Sequence, residues 1–190
     1  FPDAKSALEG ARAILVDRLA LDADLVGEVR ERMFTKGVMG AHVIEGKEAE
    51  GAKFKDYFSF NEPFHTLPSH RILALLRGEN EGVLQLQLDA GDDADYEDVI
   101  ASRFELDRSS KWLADAVHWG WRTKLYISSS LDVRMRLKEI AEEGALKIFA
   151  TNLRDVLLAA PAGQRATIGL DPGYRNGVKC AVVDKTGNVL

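Results

Sequence analysis

The chain has 190 residues, 46% hydrophobic and 29% charged, which suits one medium domain or one domain plus part of another and excludes wholesale disorder. Its 25 Lys and Arg against 30 Asp and Glu give a formal charge of −5, which on its face argues against a strongly basic nucleic-acid binder. A single cysteine, Cys180, excludes an internal disulfide, and no apolar run reaches the ~18 residues of a membrane helix, so a cytoplasmic protein with no membrane partner is expected.

Asp3 is placed to cap a helix in which Ala7, Leu8, Ala11, Leu15 and Leu19 recur at three- and four-residue spacing. Asp24 reads as the cap of a second helix, with Leu25, Val29 and Phe34 near one face and Gly37 as its stop. Val38 to Ile44 is short and ambiguous, whereas Lys47 to Phe60 predicts a helix carrying Phe54, Tyr57 and Phe58. Pro63 and Pro68 then bracket a loop, because the residue before each proline is steered away from helical geometry. Ser69 reads as the cap of a helix through Ile72, Leu73, Leu75 and Leu76 that stops at Gly78.

Val83 to Leu88 alternates with period two and puts Leu84, Leu86 and Leu88 on one face of a strand. The acidic run Asp89 to Asp98 leads to a helix over Tyr96 to Leu106. Lys111 to Leu125 predicts a helix with Trp112, Ala116 and Trp119 on one face and Lys111, Asp115 and Arg122 on the other. Ser129 to Asp132 reads as a capping box at the head of the longest helix. Its expected apolar stripe is Met135, Ile140, Gly144, Ile148, Phe149, Leu153 and Leu157, with Gly144 suited to a close helix crossing. After Gly163 the character changes: Thr167 to Asp171 and Gly177 to Asp184 read as strands, Pro172 to Tyr174 as a turn, and Lys185 to Asn188 as another. The meander opens without further strands to cover it, so the chain is expected to be a fragment.

Charge is unevenly spread. Gly78 to Asp107 holds ten acidic residues and one basic one, a local charge of −9, and the remainder sums to +4. Such runs usually form solvated faces. The acidic stretch also suits a protein-docking surface, a reading to be weighed against nucleic-acid contacts from Arg134 and Lys138.

Asp171 ends a short apolar strand before a Pro-Gly turn, where a rigidly held carboxylate suits a hard divalent cation or, equally, an Asx turn. One carboxylate does not make a two-metal site. Arg175, Lys179 and Lys185 surround the hairpin and are candidates for phosphate contact. His42, His65, His70 and His118 are scattered and predict no zinc site. Trp112, Trp119 and Trp121 suit a core better than base stacking, and no phosphate-binding Gly-rich loop occurs.

The runs Asn152 to Gly163, Leu170 to Lys179 and Ala181 to Asp184 strongly resemble the Tex family of bacterial transcription accessory proteins. Lys53 to Phe58, Pro68 to Glu79 and Asn80 to Leu84 match the same family, in order and with family-like intervals. The resemblance implies a mainly α fold: a multi-helical, nearly all-helical region over 1–164, then over 165–190 the first strands of a truncated α/β RNase H-like domain of the YqgF type. It also implies longer proteins that continue to helix-hairpin-helix elements and an OB-fold RNA-binding module. The expected partner is nucleic acid, RNA rather than DNA and mainly through parts outside this chain, with transcription machinery as a second. Asp171 matches the family's first-strand aspartate, and Arg175 and Lys179 match basic hairpin positions read as nucleic-acid-binding. The resulting expectation is a non-catalytic scaffold with no metal site and no cofactor. The alternative is a metal-dependent RNase H-like nuclease or resolvase, with Asp171 as one magnesium ligand of a site incomplete here.

Overall fold

The computed structural model describes residues 3–161, 163–173 and 177–190. Asp3 caps helix α1 (Ala4–Leu21) as its position predicts, accepting the Ser6 N–H at 2.7 Å. The cap of α2 (Ala23–Lys36) is Asp22, not Asp24: its carboxylate accepts the Leu25 N–H at 2.7 Å. One extended residue ends α1 and starts α2, leaving Asp24 in the first turn, where its charge favours the positive helix end. Leu25, Val29 and Met33 are buried, while Phe34 lies partly buried under the Arg136 guanidinium at 3.7 Å.

The first region is less helical than its sequence suggests, because a three-stranded antiparallel sheet runs through it in the order β2-β1-β3. The ambiguous segment is the central strand β1 (Val38–Val43), flanked by β2 (Ser59–Pro63) and β3 (Leu84–Asp89). Gly40 stands opposite both Asn61 and Gln87, which fixes the register on each side. The helix expected over 47–60 is instead a 3₁₀ segment, Ala52–Tyr57, followed by β2. Phe54 and Tyr57, three apart, satisfy a 3₁₀ period as well as an α period, and pairing with β1 captures the residues that follow.

Helix α3 (Ser69–Asn80) begins after Pro68, which holds the N-cap position without a side-chain cap bond, and continues through Gly78, which lies against the Leu84 side chain. Helix α4 (Asp93–Arg103) begins within the acidic run, with Asp92 accepting the Ala94 N–H at 2.9 Å. Helix α5 (Lys111–Gly120) passes through a π-turn (Trp121–Leu125) into α6 (Tyr126–Leu157), so the capping box at Ser129 does not form. Val117, Trp121, Leu125, Ser129, Val133, Leu137 and Ala141 make a buried ridge at every fourth position. Met135, Ile140, Ile148, Phe149, Leu153 and Leu157, expected inward, are exposed. Gly144 does mark a close crossing, since a side chain there would strike Ser69.

The chain forms two compact units, Phe1–Lys147 and Ile148–Leu190. In the second, β4 (Thr167–Gly173) and β5 (Gly177–Val183) form an antiparallel ladder, and Val189 bridges back to Val183. Pro172 and Gly173, expected in a turn, belong to this ladder. Among the described residues, no helix is long and apolar enough to cross a membrane.

Candidate functional site

The β4–β5 register sorts the hairpin into two faces. Ile168 with Val182, Leu170 with Cys180 and Pro172 with Val178 make one face wholly apolar, and Ile168 and Leu170 each remain 65% exposed. Thr167 with Val183, Gly169 with Ala181, Asp171 with Lys179 and Gly173 with Gly177 make the other. The candidate carboxylate thus stands directly across the ladder from a candidate phosphate ligand. A shallow cavity of about 410 Å³ is lined by Gly169, Leu170, Asp171, Lys179, Cys180 and Ala181. Arg175 lies outside the described residues. A lysine opposite an aspartate offsets the charge that a cation would need, and cross-strand opposite charges stabilise a pair by about 0.2–1 kcal/mol.

Among the described residues, no group of three His, Cys, Asp or Glu is placed to hold a metal ion. Two of the scattered histidines serve the fold: His42 Nε2 lies 3.3 Å from Gln85 Oε1, and His118 Nδ1 lies 2.7 Å from Glu97 Oε1.

Sequence reasoning passed over Asp184, the strongest local anion device on the hairpin. Its carboxylate accepts the Thr186 hydroxyl at 2.7 Å and the N–H groups of Thr186 and Asn188 at 2.8 and 3.0 Å. These bonds, the Thr186 hydroxyl foremost, hold its carboxyl down at about 2. Because the folded value is depressed, the turn gains stability above the ordinary carboxylate range and loses it as pH falls from about 4 through about 2. The backbone amide resonances of Thr186 and Asn188 should titrate with a midpoint near 2. A midpoint near 4 would show that the turn does not hold the carboxylate.

Part of the acidic stretch is ion-paired within the first unit. Glu79 takes Arg134, Glu81 takes Lys53 and Arg77, Asp95 takes Lys36, and Glu97 and Asp98 share Arg108. Lys53 and Arg77 hold the Glu81 carboxyl below the usual range. Asp93 accepts the indole N–H of Trp121 at 2.7 Å. Asp89, Asp92, Glu105 and Asp107 have no ion pair among the described residues, while Arg134 and Lys138 are engaged, the latter with Glu142 at 3.7 Å. Of the tryptophans, Trp121 is core and stacks on Tyr96, while Trp119 is half exposed beneath Arg12.

The sequence matches a family model described as Tex central region-like over residues 1–149 and another described as Tex protein YqgF-like domain over residues 165–190. Over 100% of this chain it is 52% identical to a transcriptional accessory protein Tex of Neisseria gonorrhoeae, covering 26% of that protein. Over 99% of the chain it is 46% identical to Protein tex of Bordetella pertussis, again covering 26%. It is 27% identical to the human S1 RNA-binding domain-containing protein 1, over 95% of this chain and 20% of that protein. The chain thus spans about a quarter of the length of its bacterial relatives.

Proposed function

We propose, for a chain that belongs to the Tex family, a role as a non-catalytic scaffold within a transcription accessory protein that binds nucleic acid, RNA in preference to DNA. The observation that carries the scaffold reading is the opposition of Asp171 and Lys179 on one hairpin face. A carboxylate paired across the ladder with a lysine is organised for strand pairing and for a mixed-charge surface, not for gathering divalent cations. The printed names of the relatives support the transcription and RNA parts of the reading.

Two exposed apolar surfaces within Ile148–Leu190 support the further reading that the chain is a portion of a longer protein. They are the hairpin face of Ile168, Leu170 and Val178, and the helix positions Phe149, Leu153 and Val156. Free apolar faces of this kind find cover in folded proteins.

The test is hydrolysis of labelled RNA, an RNA–DNA hybrid and a four-way DNA junction by the purified chain with magnesium. Activity no greater than that of Asp171→Ala is expected. Robust cleavage that disappears in Asp171→Ala would replace the scaffold with the nuclease or resolvase.

A further inference from the structure

We propose that the outward face of helix α6 is a self-association surface, on which a second copy of this chain packs its own α6 antiparallel about a two-fold axis at position 140.

Helix α6 carries two apolar faces, and the first unit uses one of them. The ridge of Ser129, Val133 and Leu137 is buried against the core. Asp132 and Arg136 tie one flank of the helix to Arg30 and Glu31 of α2, and Arg134 ties the other to Glu79 of α3. Ile127, Leu131 and Met135 each stand two residues from a member of the ridge, about 200° round the helix, and they are 51%, 60% and 55% exposed. The core that buries the ridge leaves them uncovered. A large apolar side chain at every turn, on the far side of a docked helix, is the kind of surface that folded proteins cover.

The spacing of the stripe points to a second copy as its cover. Ile127, Leu131, Met135 and Lys138 run along this face, and Glu142, Ala145, Phe149 and Leu153 continue it on the same helix. The intervals are four, four, three, four, three, four and four, which read the same from either end. Their average of about 3.7 residues stays close to the period of a straight helix, so the stripe hardly winds. A symmetric antiparallel pair requires such a pattern, because each position meets its mirror position in the other copy. With the axis at 140, Ile127 meets the partner's Leu153, Leu131 the partner's Phe149 and Met135 the partner's Ala145.

The two charges at the centre decide the orientation. Lys138 and Glu142 are each about half exposed, and their nearest approach along their own helix is a loose 3.7 Å. In the antiparallel pair each Lys138 meets the partner's Glu142, which places two opposite-charge contacts across the axis. A parallel pair would set lysine on lysine and glutamate on glutamate, and a wholly apolar partner would bury both charges unmatched. The stripe is about 39 Å long and one helix wide, about 10 Å, which is small for an interface, so micromolar association is expected.

The experiment is sedimentation equilibrium of the full 190-residue chain from roughly 1 to 300 µM, with a reducing agent present because Cys180 is exposed. Wild type is expected to move from 21.0 kDa toward twice that mass as concentration rises. Leu131→Glu is expected to stay monomeric throughout. K138E and E142K each set like charges across the axis, and each is expected to weaken association at least about tenfold. An equimolar mixture of the two is expected to regain the wild-type affinity, because in the mixed pair every charge meets its opposite. The ion pair within the helix is lost in both variants, so this recovery reports contact between copies. Circular dichroism checks folding, which substitutions at these exposed positions should leave intact. A wild-type chain that remains at 21.0 kDa would overturn the proposal and leave the stripe to another segment or another protein. A dimer that survives Leu131→Glu would place association on a different face, and charge variants that fail to complement would refute the antiparallel register; either result also overturns it.

Discussion

Trp121→Ala is expected to lower the stability of the Phe1–Lys147 unit by about 3–5 kcal/mol, a large share of the 5–15 kcal/mol that ordinarily holds a domain together. Trp121 is fully buried in the π-turn, stacked on Tyr96 at 4.1 Å and 6° and meeting the Tyr126 edge at 5.5 Å. The indole and the two rings it touches are each anchored by a hydrogen bond. Its N–H donates to Asp93 at 2.7 Å at the start of α4, the Tyr96 hydroxyl donates to the Ala90 carbonyl at 2.8 Å, and the Tyr126 hydroxyl donates to the Leu88 carbonyl at 2.9 Å. Burial pushes Tyr96 up to about 12, so this hydroxyl stays a donor across the working pH range. Removing the indole opens a void beside two aromatic rings and strips Asp93 of its shortest donor. Trp121→Phe keeps one aromatic ring but loses the donor and part of the buried indole, so a loss of about 2–3 kcal/mol is expected. Urea unfolding followed by circular dichroism separates the two. Equal losses for Phe and Ala would assign the effect to the hydrogen bond, and a loss below about 1 kcal/mol for Ala would show that the stack does not organise the unit.

The same residue shows where the sequence was legible and where it was not. A regular 3.6 period puts Trp112, Ala116 and Trp119 together, but the π-turn adds a residue to the following turn and brings Trp121 into the buried ridge while Trp119 surfaces. That ridge was hidden for a second reason: two of its members, Ser129 and Ala141, are small or polar, and the large residues between them face outward. The strands β1 and β2 are short and depend on partners distant in sequence, whereas β3 carries its own alternation and was visible. In the site, Asp171 and Lys179 stood out as residues, but their opposition is a property of register, which a sequence read segment by segment does not contain. The acidic stretch was countable, yet its partial neutralisation by Arg134, which is 55 residues from Glu79, required the fold.

Gly37→Ala and Gly27→Ala are expected to move stability in opposite directions, although one glycine lies within α2 and the other caps its C-terminal end. Gly27 sits inside α2 with open space where a side chain would be, so alanine there should stabilise the protein by up to about 1 kcal/mol through helix propensity and a less flexible unfolded chain. Gly37 joins α2 to β1 at an ordinary φ of −76°, so conformational freedom is not the reason for it. Space is the reason: a methyl group would strike the Phe64 ring and come within 2.5 Å of the Met33 carbonyl and 2.9 Å of the Asp89 carbonyl. The first carbonyl already accepts the Gly37 N–H at 2.8 Å, and the Gly37 carbonyl accepts from Phe64 at 3.0 Å. A rotating side chain could yield, but two backbone groups fixed in a helix end and a strand end cannot, so the cost should lie at the upper end of about 1–3 kcal/mol. Thermal unfolding of both variants beside wild type measures the difference. If Gly37→Ala melts with wild type, the approach of α2, the Phe64 turn and the end of β3 is looser than these distances state. If it falls while Gly27→Ala rises, the junction between the first helical pair and the central strand is sterically fixed, and the sheet cannot slide against α2 without breaking it.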